Sequence, residues 1–200
     1  MLKLDESDER RAILAPGFRL SFTWTGDRWA HSLDVAHDAQ FRQIATSLEG
    51  EADEGRIVSP ALQQLQFQQA HEHPEILQAL LVGLSGAHHF SVVFTVQETR
   101  DLICVSVEVA DRCRLDLQAL ASTYAVDLPS SQIVEADTAG VSWSLPSSPN
   151  APLRFESVAP ARTDLREAGR RGCQIQACPA VVSGLSTHCW AYRWVFRTSH

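Results

Sequence analysis

Residues 18 to 35 constrain the fold more than any other stretch. Phe18, Leu20, Phe22 and Trp24 alternate with Arg19, Ser21, Thr23 and Thr25, and beyond Gly26-Asp27 the apolar set becomes Trp29, His31, Leu33 and Val35. An alternation of period two is the mark of a strand with one buried face. A two-residue Gly-Asp turn, with glycine supplying a positive φ, sets Trp24 opposite Trp29, Phe22 opposite His31, Leu20 opposite Leu33 and Phe18 opposite Val35. Both apolar faces then coincide, and a slip of one residue would turn one of them to solvent.

The same reasoning extends along the chain. Leu80, Val82 and Leu84 are set against His88, Phe90 and Val92 across a Ser85-Gly86-Ala87 loop, and Phe94 and Val96 meet Val105 and Ile103 across a turn near Thr99-Arg100. Val141, Trp143 and Leu145 oppose Phe155 and Leu153 across a connection rich in Ser and Pro. A turn at Ser183-Gly184 sets Ala177 opposite Trp190, Ile175 opposite Tyr192 and Cys173 opposite Trp194.

Helix is expected only in short peripheral pieces. One lies within Asp38 to Glu49, from the spacing of Phe41, Ile44 and Leu48, and one follows the capping-box pattern of Asp164 and Glu167. Strand following strand indicates an all-β fold, an antiparallel meander forming a barrel or a two-sheet sandwich. Residues 1–15, dense in charge, are expected to be a flexible lead-in to a single β domain over 16–200.

Composition bounds the function classes. The chain has 200 residues and a net charge of −7, from 17 Lys and Arg against 24 Asp and Glu. That balance argues against a nucleic-acid binder. A chain of this size buries roughly 70% of its unfolded surface, so no metal or cofactor is needed for folding and none is expected. No apolar run approaches membrane-spanning length and the N-terminus lacks a secretory apolar core, which predicts a cytoplasmic protein without membrane contact. Five cysteines in that setting predict reduced thiols.

No phosphate-cradling glycine loop, Gly-x-Ser-x-Gly elbow or His-Glu-x-x-His pattern occurs. What stands out is aromatic: all five tryptophans fall on the apolar side of their strands. The plain reading is a core filled with rings. The sharper one is a cavity or sheet face in which Trp24, Trp29, His31, His88 and Trp190 contact a small apolar ligand or a protein partner. The leading expectation is therefore a non-catalytic binding domain. The rival is an enzyme at a barrel mouth, with His31 and His88, joined by His188, as acid, base or metal ligands. A third possibility is assembly through open sheet edges.

Other polar clusters read as structural. His71-Glu72-His73-Pro74 supplies too few ligands for a metal, and Cys173, Cys178, His188 and Cys189 lack zinc spacing. Cys178 and Cys189, if directly opposed, could bridge under oxidation. Asp34 and Glu108 take solvent-facing positions.

Overall fold

A computed structural model describes the chain apart from residues 8–9, 38–39, 70–72, 146–147, 168–171, 183, 185 and 198–200. It consists of two eight-stranded sheets packed as a sandwich, a three-stranded flap and one turn of 3-10 helix, Ser130–Gln132. The pairing is antiparallel throughout both large sheets, and neither closes into a barrel.

The first sheet runs, in spatial order, β1 (Lys3–Glu6), β2 (Arg10–Ala15), β3 (Phe18–Trp24), β4 (Trp29–His37), β5 (Gln40–Ser47), β13 (Ser122–Val126), β18 (Cys173–Cys178) and β17 (Arg162–Glu167). The second runs β14 (Ile133–Ala136), β15 (Gly140–Leu145), β16 (Ser148–Val158), β19 (Thr187–Arg197), β11 (Leu102–Arg112), β10 (His88–Glu98), β9 (Ile76–Ser85) and β8 (Gln64–Gln69). The flap pairs β6 (Glu51–Asp53), β7 (Arg56–Ile57) and β12 (Ala119–Leu120).

The first hairpin has the register its sequence predicts, including Phe22 opposite His31 and Trp24 opposite Trp29. Thr25 N–H donates to the Arg28 carbonyl at 2.9 Å and Gly26 sits at φ 104°, as a two-residue turn led by glycine requires. Val141 pairs with Phe155 and Trp143 with Leu153, also as predicted.

Elsewhere the structure departs from the sequence expectations. Gly86, at φ 56°, makes the β9–β10 turn two residues long, so His88 faces Ser85, and Leu77, Ala79 and Leu81 are the inward residues. The single-residue difference turns Val82 and Leu84 outward, 43% and 58% exposed. Phe94 and Val96 keep their predicted face, but the register is shifted by two residues, with Val107 and Val105 opposite rather than Val105 and Ile103.

The segment 40–47 is a strand, not a helix. A bulge opposite Leu33 and Asp34 lets Ile44 and Ala45 both point inward, which mimics helical spacing. Asp164 and Glu167 likewise belong to β17, paired with β18, rather than to a capped helix.

The C-terminal pair does not form a hairpin. β18 pairs with β13 and β17 in the first sheet, while β19 pairs with β11 and β16 in the second. Cys178 and Cys189 therefore lie in different sheets, and none of the five cysteines is in a disulfide. Residues 1–15, finally, supply β1 and β2 rather than a loose lead-in, with Leu2 and Ile13 buried.

The interior is built from rings and branched chains. Phe155 and Trp194 meet edge to face with centroids 4.8 Å apart, and Phe22 and Phe94 do so at 5.3 Å across the two sheets. No helix among the described residues is long and apolar enough to cross a membrane.

Candidate functional site

Trp29, His31 and Trp190 line the interior rather than an open cavity, while Trp24 sits at the hairpin end, 36% exposed and edge-on to Trp29 at 5.4 Å. His31 Nε2 lies 2.7 Å from the Tyr124 hydroxyl, which lies 2.8 Å from that of Tyr192. Trp190 Nε1–H donates to Ser122 Oγ at 3.0 Å. Burial pulls His31 down to about 3 and pushes Tyr192 up to about 12, so the imidazole and the phenol are both neutral. The cavity beside His31 and Tyr124 measures about 10 Å³. That is the room of one water, well short of a small organic ligand.

His88 belongs to a different cluster. Phe94, which touches His31, lies six positions further along β10, a span of about 20 Å of strand. His88 Nδ1 is 2.9 Å from Asp111 Oδ2, and Nε2 is 2.9 Å from the Glu54 carbonyl and 3.6 Å from Cys113 Sγ. His188 sits directly across from Asp111 on β19. Burial pushes the Asp111 carboxyl up, while His88, His188 and His89 draw it back.

Thiol, imidazole and carboxylate in line resemble a nucleophile, its base and an orienting acid. The Glu54 carbonyl decides otherwise, because it requires a proton on Nε2, the nitrogen that would have to accept one from Cys113. In this arrangement His88 fastens the β6–β7 turn to the sandwich. Among the described residues no three His, Cys, Asp or Glu side chains could hold a metal ion. His71 and Glu72 lie outside the described residues, and His73 contacts Glu75 at 3.1 Å.

Asp34, expected in solvent, is buried on the outer face of the first sheet. Arg19 Nε donates to it at 2.7 Å, and Arg19 in turn covers the Phe41 ring at 4.6 Å.

A ligand-sized space lies outside the sandwich. The flap stands beside the outer face of β17 and β18, leaving a half-open groove of about 660 Å³. Its position follows from two anchors. Thr123 Oγ1 donates to the Val58 carbonyl, and Thr123 N–H donates to Ser59 Oγ. Parallel pairing of β12 with β7, Leu120 beside Ile57, completes the far wall.

Arg162, Asp164 and Arg166 alternate along β17 and reach the groove from one side, and Arg56 reaches it from the flap. Arg56 Nε donates to Gln118 Oε1 at 2.8 Å, and Arg166 pairs with Asp164 at 3.1 Å. Arg162 forms no ion pair among the described residues. Three guanidinium groups against one carboxylate make a locally cationic cleft on a chain of net charge −7. Ile57, Leu120 and Val181 add apolar wall. Burial pushes the Cys178 thiol up, with Asp164 reinforcing the shift, so this cysteine is a protonated neighbour rather than a nucleophile.

None of these arginines is singled out by a sequence motif. The available signal was the period-two run of charge in Arg162, Asp164 and Arg166, which marks one polar face of a strand.

No protein-family model matches the chain. No curated protein matches its sequence significantly.

Proposed function

We propose that this chain is a non-catalytic binding domain whose ligand is a small amphipathic anion, a carboxylate or phosphate on an apolar body, held in the groove between the flap and β17–β18. The observation that carries the reading is Arg162, a guanidinium without an ion-pair partner among the described residues, beside two further arginines in a groove of about 660 Å³. That volume lies within the range of small-ligand sites. Guanidinium forks match the planar oxygens of a carboxylate or phosphate and bind them through charge-assisted hydrogen bonds. Ile57, Leu120 and Val181 would take the apolar part.

A binding role also fits the groups in the groove. The Cys178 thiol is held protonated and Asp164 is occupied by Arg166, so neither is set up as a nucleophile or base.

Calorimetric titration with aryl and alkyl carboxylates, the matching phosphates and their neutral amides tests the proposal. Saturable binding of the anions, with the amides silent and backbone amide shifts confined to β7, β12, β17 and β18, is the expected pattern. Binding that ignores the ligand's charge, or shifts that map elsewhere, would remove it.

A further inference from the structure

Each large sheet has two ends, and three of these four edge strands carry charge. β1 contains Lys3, Asp5 and Glu6 in four residues, β17 contains Arg162, Asp164, Arg166 and Glu167 in six, and β14 is four residues with Glu135 and an irregular register. Short, charged or bulged edges resist pairing with another chain. The fourth edge lacks all these protections: β8 reads Gln64-Leu65-Gln66-Phe67-Gln68-Gln69, six residues without a charge or a proline.

Its free side can be identified. β8 pairs with β9 from Gln64 opposite Val82 to Gln69 opposite Leu77. Arg11 Nη1–H, from the other sheet, donates to the Leu65 carbonyl at 3.3 Å, so that carbonyl points away from β9. Backbone groups alternate in direction along a strand, which turns those of Phe67 and Gln69 to the same side. Among the described residues no backbone group bonds to them there.

The neighbouring outer surface is also neutral. Gln64, Gln66 and Gln68 stand beside Val82 and Leu84 on β9 and Ser91 and Val93 on β10. On a molecule of net charge −7, a like-charged copy approaching here meets no charge among these residues.

We propose that β8 is the dimer interface of this protein, pairing antiparallel with β8 of a second copy about a two-fold axis through Phe67. The strand suits its own copy. In that register Phe67 faces Phe67, Leu65 faces Gln69, and Gln66 faces Gln68, so every outward backbone group meets a partner and no charge is opposed. The Leu65 carbonyl accepts from the second copy's Gln69 N–H on its remaining lone pair, alongside Arg11. The contact is isologous and uses one edge per copy, so assembly stops at two. Four strands of the first sheet separate β2 and β3, which face β8, from β17, so the groove remains open in the dimer.

Sedimentation equilibrium of the full chain tests this. The wild type is expected to be a dimer. Gln66→Lys combined with Gln68→Lys sets like charges across the interface, and Gln69→Pro removes an outward N–H without touching a bond to β9. Each is expected to raise the dissociation constant about ten-fold or more, with circular dichroism of the resulting monomer unchanged. A wild type that stays monomeric at ~100 μM, or a dimer that survives both variants, would overturn the proposal, and neither result bears on anion binding in the groove.

Discussion

His31 Nε2 and the Tyr124 hydroxyl oxygen lie 2.7 Å apart between the two sheets, with Phe94 edge-on to the imidazole at 4.8 Å. His31 Nδ1 has no hydrogen-bond partner among the described residues. The pair ties β4 to β13 through a histidine that burial keeps neutral, and this gives the fold a pH dependence.

The unfolded chain binds a proton at His31 near 6.5, whereas the folded chain does so only at about 3. A depressed folded value contributes stability that is present above 6.5 and lost as the pH falls toward 3. Between pH 7 and pH 5 the loss from this residue is about 2 kcal/mol. Urea denaturation at both pH values, compared with His31→Gln, checks it. The variant should lose most of that difference, and an unchanged pH slope would refute the assignment.

His88 should be a strong structural residue. Replacing it with Ala leaves the buried Asp111 carboxyl without its partner and removes the bond to the Glu54 carbonyl. Removing one member of a buried pair costs about 3 to 5 kcal/mol. The expected companion effect is faster hydrogen exchange in the β6–β7 turn than in the rest of the sandwich.

Gly83 marks a close approach of two segments. A Cβ there would stand 1.9 Å from the Ala61 carbonyl oxygen and 2.6 Å from Gln63 Oε1. That Gln63 amide acts as a short strand partner, receiving Leu84 N–H at 2.7 Å and donating to the Leu84 carbonyl at 3.1 Å. Gly83→Ala should lower stability by about 3 kcal/mol or more, read from the denaturation midpoint.

Legibility in the sequence followed locality. The β3–β4 pairing could be read because a two-residue turn leaves one register that buries both faces. The β9–β10 pairing was displaced because Ser85-Gly86-Ala87 admits a two- or a three-residue loop, and one residue exchanges the faces. Ile44 and Ala45 lose their alternation at a bulge, which no local pattern announces. The sheet assignment of β18 and β19 is less local still, since an inward apolar face is served equally by a neighbour in the same sheet and by the sheet opposite. His31, His88, His188 and four of the five tryptophans lie on the inward faces that their alternation predicts, Trp24 being exposed at the hairpin end, but convergence is a three-dimensional property. His88 and His188 meet around Asp111, and His31 does not join them. The groove has no local signature for the same reason, because Arg56 and Arg162 come from distant segments and only the flap brings them together.

Thiol chemistry gives an independent check on the layers. Cys189 is exposed on the outer face of β19, whereas Cys113 and Cys173 are buried. Alkylation of the native protein followed by mass spectrometry should label Cys189 first, and early labelling of Cys113 would mean that the flap opens readily.

The most direct test of the binding role is the affinity of one amphipathic carboxylate for the wild type, for Arg162→Ala and for Arg112→Ala, an exposed arginine on the far sheet. Loss of a charge-assisted hydrogen bond should weaken binding by about ten-fold or more for Arg162→Ala, with Arg112→Ala matching the wild type. Equal affinity in all three proteins would contradict the assignment of the groove as the site.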